Sequence, residues 1–198
     1  MTVKPAVKTA LERGELLKLD LGGGRNPRAG YFSVDLRDSD QTDIVADLSY
    51  PLEQIPDRSV AAIYSRHALE HIANILVTMQ EIRRICVPDA TIEILVPHFS
   101  NVYGCSDPTH VRFFGIYSMY YFCAAENQPH RKVPSYDDGF QVESLQLCFY
   151  RYTLIDRLAN RVLSPILNRS FALQNFYERR LSHVFHAWQI YFVLKIAK

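Results

Sequence analysis

The sequence has no Cys-x-x-Cys pair, no long apolar run and almost no net charge. Each absence closes a class of function. The cysteines, Cys86, Cys105, Cys123 and Cys148, lie far apart. Their spacing spells neither a zinc ribbon nor a disulfide framework, and reduced, mostly buried thiols are expected. No stretch approaches the ~18–20 consecutive apolar residues of a membrane span. The opening MTVKPAVKTALERGELL lacks the apolar core and cleavage site of a signal peptide. A formal charge of +1 with scattered basic residues argues against a phosphate-neutralising surface, and Arg179-Arg180 suits a solvated helix face. Neither a nucleic-acid partner nor an integral membrane segment is expected, and the expected location is cytoplasmic. There is no internal repeat or low-complexity linker. What is present is 198 residues, 48% of them hydrophobic, enough for one domain with a full core.

The order of segments suggests the architecture. A short helix (6–13) ends at Gly14, and the apolar run LLKLDL (16–21) stops at Gly22-Gly23-Gly24. YFSVDL (31–36), DIVADL (43–48) and SVAAIYS (59–65) read as further strands. Residues 68–86 have helical spacing, blocked by Pro88, and TIEILVPH (91–98) is a strand that alternates at its start. In the second half, 113–123 is dense in aromatics and 140–152 alternates like an antiparallel strand. Residues 154–182 read as helical with a break at Pro165, and 186–197 as a final strand. This order predicts an α/β fold: a Rossmann-like, mixed but mostly parallel sheet with helices on both faces and an antiparallel edge, plus a helical insertion before the last strand. One domain over 1–198 divides into a cofactor-binding half (1–98) and an acceptor-side half (99–198) with the insertion at 154–182.

Gly22–Gly24, Asp35, Asp47 and Ser65–His67 all fall at strand C-termini, the edge where open α/β sheets bind ligands. The turn lacks the third glycine of G-x-G-x-x-G, and no clear helical pattern follows it, which counts against a dinucleotide on a helix N-terminus. Asp35, an acceptor-only carboxylate, suits the two hydroxyls of a ribose, and Asp47 lies where an adenine amino group needs an acceptor. The implied cofactor has ribose and adenine but no required pyrophosphate.

In these residues the sequence resembles the class I S-adenosylmethionine (SAM) dependent methyltransferases. LDLGGG resembles their first motif, VDL the acidic end of the second strand, and ADL the adenine-contacting turn. IYSRHALEHI is similar to the fourth strand and following helix, and EIRRICVPDATIEILVPH to the segment leading into the fifth strand, with Pro88-Asp89-Ala90 replacing the usual P-G-G turn. The match runs from about Leu16 to His98. It implies that Asp20, Gly22, Gly23, Gly24, Asp35, Leu36, Asp47, Leu48, Ser65 and His67 surround SAM. The short link to the second strand resembles a subgroup of predicted methyltransferases, some of them implied to serve glycan or natural-product pathways. The implied acceptor is a hydroxyl, less readily an amine, of a small molecule or glycan.

SRHALEHI (65–72) also spells H-x-x-E-H, an inverted zinc-peptidase spacing that would place His67 and His71 on one helix face. That reading needs a third ligand, and no downstream motif stands out. The resemblance accounts for the same letters, so no metal is expected, and His71 is expected to be a hydrogen-bonded, partly buried imidazole. Beyond the fifth strand, DPTHVRFF (107–114) resembles D-P-x-H-x-R-x-F in relatives. His110 is the first candidate base and His98 the second. Arg112 is a candidate for an anionic acceptor group, and Tyr103 and Tyr117 for the pocket wall. Asp107 capping a helix and pairing with Arg112, with His110 packed beneath, is the structural alternative. The helical insertion 154–182 has two open readings, an acceptor-side cap or the surface of a homodimer. Two other functions stay open at this point: a non-catalytic SAM-fold partner protein, and an NAD(P)-dependent oxidoreductase.

Overall fold

The computed structural model of the chain describes residues 1–197. Its strands are β1 (Thr2–Val3), β2 (Leu17–Leu21), β3 (Phe32–Asp35), β4 (Ile44–Val45), β5 (Val60–Arg66), β6 (Cys86–Pro97), β7 (Phe140–Phe149) and β8 (Ala187–Ile196). Its helices are α1 (Pro5–Glu12), α2 (Ile75–Ile85), α3 (Leu154–Leu167) and α4 (Phe171–Arg180). They build one sheet in the order β1-β4-β3-β2-β5-β6-β8-β7. The five strands β4, β3, β2, β5 and β6 run parallel. β8 is antiparallel to β6, and β7 antiparallel to β8. The expected mixed sheet, antiparallel edge and helical insertion are all present. The chain leaves β2 toward β3 on one side and re-enters at β5 on the other, so the strand order switches at the C-terminal ends of β2 and β5. A crevice opens at such a point because the connections diverge.

Local chemistry sets the element ends. Pro5 starts α1, where its missing N–H costs nothing. The helix expected over 68–86 is split: Leu69–His71 form a single 3₁₀ turn, and α2 starts only at Ile75, where the Asn74 side chain accepts from Val77 N–H. The apolar residues 68–74 carry helical spacing without belonging to the helix. α3 passes through Pro165 to Leu167, because a proline in the last turn forfeits a single hydrogen bond. The break in the insertion falls at 168–170, where Ser170 caps α4.

The two faces of the sheet are unequally buried. In register across β2, β5, β6 and β8, the residues Leu19, Ile63, Ile92 and Leu194 are buried, as are Leu21, Ser65, Ile94 and Phe192. The alternate residues, Lys18, Tyr64, Arg66, Thr91, Glu93, Leu95, Tyr191, Val193 and Lys195, are half-buried or exposed. The buried positions of α1 and α2, with Tyr177 of α4, join one hydrophobic core with these strand residues. Between β2 and β3, where a helix would cover the second face, residues 22–31 form turns only.

That segment is fastened across the open face by Arg28. Its backbone N–H donates to Asp20 Oδ2 at 2.7 Å. Its guanidinium lies 4.4 Å from the Tyr64 ring centroid and 4.9 Å from that of Tyr31, and donates to Glu93 Oε1 at 2.9 Å. Glu93 Oε2 in turn accepts from the Tyr191 hydroxyl at 2.7 Å. A stacked, charge-paired arginine does here part of the work of a helix.

Candidate active site

Three clefts adjoin the glycine turn, one of them between Gly24, Asp35 and the turn over residues 37–42; the other two concern the expected site. The first, about 240 Å³, lies at the C-terminal ends of β2, β3 and β5 and is lined by Gly22, Val34, Asp35, Leu36, Ala46, Asp47, Leu48, Ser49, His67, Ala68, His71 and Ile72. The second is larger, about 610 Å³, and lies on the open face, where Asp20, Gly23, Arg28, Tyr64, Glu93 and Tyr191 contribute to it. The smaller cleft sits at the strand-order switch and gathers most of the expected cofactor residues.

Gly22 carries φ +75°, and a Cβ there would overlap the Ala68 Cβ. Only glycine lets the turn fold against the segment after β5. Asp35 closes β3. Its Oδ2 accepts from Gly24 N–H at 3.0 Å and its Oδ1 from Arg37 N–H at 2.9 Å. A carboxylate has about four lone-pair sites, so each oxygen keeps capacity for one further donor, as a ribose diol requires. Asp47 folds an Asx turn through Ser49 N–H to its Oδ1 at 2.8 Å, leaving Oδ2 without a hydrogen-bond donor. Leu36 and Leu48, with Val34, Ala46 and Ile72, form apolar walls for a flat ring. Leu36 is 68% exposed although it lies in the cleft, an apolar surface without a protein partner.

Other expected residues are placed differently. Asp20 is buried under the 22–31 segment, and burial pushes its carboxyl above the usual range. It and Gly23 face the open-face cleft, and a Cβ on Gly23 would meet Ser33 Oγ at 2.5 Å. Gly24 (φ +55°) lines the third cleft, beside Asp35, and serves Asp35 through its N–H. Ser65 is buried, with its hydroxyl toward Leu21 C=O at 3.4 Å, and lines neither cleft. His67 does line the first cleft, in a left-handed conformation (φ +52°) just past β5. A non-glycine residue in that region stores strain of order 1–3 kcal/mol.

His98 is corrected as a candidate base. It is 1% exposed, its Nδ1 accepts from Ser100 N–H at 3.0 Å, and its Nε2 meets Glu178 Oε1 at 3.3 Å. Ser100 Oγ lies 2.7 Å from Nδ1, so a serine, a histidine and a glutamate stand in line. Ser100 is itself buried and accepts from Ala187 N–H, so the trio ties β6, β8 and α4 together instead of facing an opening. Arg112 is spent as well: its Nε donates to Ile72 C=O at 2.9 Å and its Nη2 to Ala73 C=O. It fastens the loop after β6 to the segment before α2. Asp107 pairs with Thr109 and not with Arg112. Tyr103 is exposed and meets Tyr150 edge-to-face, and Tyr117 packs against Phe171 with Arg131 over its ring. Neither reaches the first cleft.

His71, expected as a hydrogen-bonded, partly buried imidazole, does meet Thr109 through Nδ1 but is exposed and lines the cleft. Glu70 beside it, given no role in the sequence reading beyond its place in H-x-x-E-H, is 1% exposed with neither carboxylate oxygen hydrogen-bonded. His110 stands behind His71, with ring centroids 4.7 Å apart, and its Nε2 lies 4.0 Å from Glu70 Oε1 and 3.8 Å from Asp107 Oδ2. His67 Nδ1 lies 3.4 Å from the same Glu70 oxygen. Three imidazoles thus surround one buried carboxylate.

No protein-family model matches the chain, and no curated protein matches it in sequence. Solved structures do match in shape. A SAM-dependent methyltransferase from Archaeoglobus fulgidus superposes with a TM-score of 0.54 at 15% identity, over 97% of this chain and 93% of that one. A candidate methyltransferase from Bacillus halodurans gives a TM-score of 0.56 at 13% identity, over 96% and 97%. At such identities the likeness establishes the fold: the chain is built as class I methyltransferases are.

Proposed function

We propose that the protein is an enzyme that binds SAM in the cleft between β2, β3 and β5 and transfers its methyl group to a hydroxyl, less readily an amine, of a small-molecule or glycan acceptor. The observation that carries this reading is Asp35. It ends the second parallel strand, is oriented by two backbone N–H groups, and keeps two acceptor sites toward a cleft whose walls are apolar. Gly22 admits a ligand to the backbone on one side, and Asp47 offers an acceptor on another. The absence of a helix after the glycine turn among the described residues favours a nucleoside over a pyrophosphate dinucleotide.

SAM supplies an electrophilic methyl on a sulfonium. The protein's own work is alignment, since an in-line displacement depends on near-attack geometry. Val34, Leu36, Ala46, Leu48 and Ile72 hold a flat ring, Asp35 fixes the sugar, and His67 and His71 stand on the wall after β5. His71 lines the cleft directly, with His110 behind it, and stands on the side from which an acceptor hydroxyl would approach.

Calorimetry with SAM, S-adenosylhomocysteine and NAD tests the assignment. SAM and its product are expected to bind, NAD is not, and Asp35→Ala loses at least about tenfold in affinity, the value of a lost charge-assisted hydrogen bond. Absence of binding by both sulfur nucleosides refutes the reading. Turnover against a panel of hydroxyl and amine acceptors then separates an enzyme from a SAM-binding partner protein.

A further inference from the structure

A buried carboxylate with no hydrogen bond is costly unless something charged completes it. Glu70 is 1% exposed, and neither of its oxygens has a hydrogen-bond partner. Around it, one ligand atom each from Glu70, His71 and His110 lie within 4.8 Å of one another. Ligand atoms on a tetrahedral zinc-sized ion, each at about 2.0–2.2 Å, stand roughly 3.3–3.5 Å apart. The cluster is therefore open by up to about 1.5 Å, within reach of side-chain torsions of the two histidines.

The hydrogen bonds behind His71 prepare it. Its Nδ1 lies 3.0 Å from Thr109 Oγ1 and 3.3 Å from Thr109 C=O. The Thr109 hydroxyl donates its proton to Asp107 Oδ1 at 2.6 Å. Both atoms facing Nδ1 are therefore acceptors, so Nδ1 carries the proton and Nε2 keeps its lone pair. A carboxylate acting through a hydroxyl on the far nitrogen of an imidazole is how proteins fix the tautomer of a metal-binding histidine.

We propose that Glu70, His71 and His110 form a site for a divalent transition-metal ion of the zinc class. The donor set, two imidazoles and one carboxylate, suits such an ion and not magnesium or calcium, which prefer oxygen alone. The spacing of the sequence pairs His67 with His71 on a helix, but that helix does not exist here. The fold brings in His110 from the loop after β6 as the third ligand. His67 Nδ1, 3.4 Å from Glu70 Oε1, stands next to the site as a further donor. Because His71 also lines the nucleoside cleft, an ion here stands at its wall. On the methyltransferase reading, it offers an open position to the acceptor's oxygen.

The test is zinc titration of the metal-stripped protein by calorimetry, without any nucleoside, on wild type, Glu70→Gln, His110→Ala and the exposed-loop control His130→Ala. Cobalt(II) absorption reports the coordination geometry. One zinc per chain is expected for wild type and the control, with at least about a 100-fold loss in the two site variants. Thermal melts guard against misfolding. Glu70→Gln replaces a buried carboxyl that has no hydrogen bond, so its metal-free melting temperature is expected to rise by about 2–5 °C, while zinc raises the melting temperature of wild type and of the His130→Ala control only. No stoichiometric binding, or binding that survives Glu70→Gln and His110→Ala, overturns the proposal. SAM binding is measured separately, so failure of this site and failure of the methyltransferase reading are told apart.

Discussion

Gly22 and Ala68 are in contact across the sheet's switch point, and the glycine's missing side chain is what allows it. A Cβ at Gly22 would overlap the Ala68 Cβ, and the residue's φ of +75° already excludes most other amino acids. Gly22→Ala is expected to lower stability by about 2 kcal/mol, combining left-handed strain with overpacking. It is also expected to abolish nucleoside binding, because relief of the overlap pushes the turn into the cleft. Urea denaturation and calorimetry on the same sample read both effects. The partner change Ala68→Gly, which opens room, is expected to restore part of the stability of the double variant.

Arg28 gives a second prediction. It stacks between Tyr31 and Tyr64 and pairs with Glu93. Arg28→Ala is expected to cost about 1–2 kcal/mol of unfolding free energy. Arg28→Lys is expected to recover less than half of that, since an ammonium does not stack as a planar guanidinium does. Equal stability of the alanine variant and wild type in urea would show that the clasp contributes nothing.

The third concerns acid stability. Arg84 gathers Glu81, Asp57 and the carbonyls of Leu52 and Ile55, pinning the connection before β5 to α2. The Arg84 guanidinium holds the Glu81 carboxyl below its ordinary value of 4.5. A carboxyl with a depressed folded-state pKa contributes stability above its unfolded value, and that contribution disappears as pH falls through the folded value. Glu81→Gln is therefore expected to be less stable than wild type at pH 7, with the gap narrowing below about pH 4.5. Denaturation at pH 7 and pH 3.5 measures it, and a gap that stays constant with pH would refute the role given to Glu81.

Much of this was legible in the sequence because the signals are local. The glycines, Asp35 and Asp47 announce their edge of the sheet through strand ends alone. The unequal burial of the two faces was also written there, in Thr91-Ile92-Glu93-Ile94 and in Lys18 within LLKLDL. A parallel strand buried on both faces reads as a continuous apolar run, and alternation marks one open face. Asn74 carried the true start of α2 as a capping residue, hidden behind the apolar spacing of 68–74. The meeting of Glu70 and His71 with His110 was not legible. It depends on where the loop after β6 returns, fixed by Arg112 on the carbonyls of Ile72 and Ala73 and by Val111 N–H on Glu70 C=O. No spacing within either segment encodes that return.

Residues 22–31 touch two surfaces at once. One end shapes the cleft at the strand-order switch through Gly22, and the other lies over the bare side of the sheet through Arg28. A single short segment with two faces is a route for coupling between them. If a ligand in the cleft shifts this segment, it is expected to change how firmly the outer clasp is held, and by reciprocity a molecule that competes for Glu93 or Tyr64 is expected to change the affinity inside. A helix in its place would have buried the link, and a turn leaves it within reach of solvent.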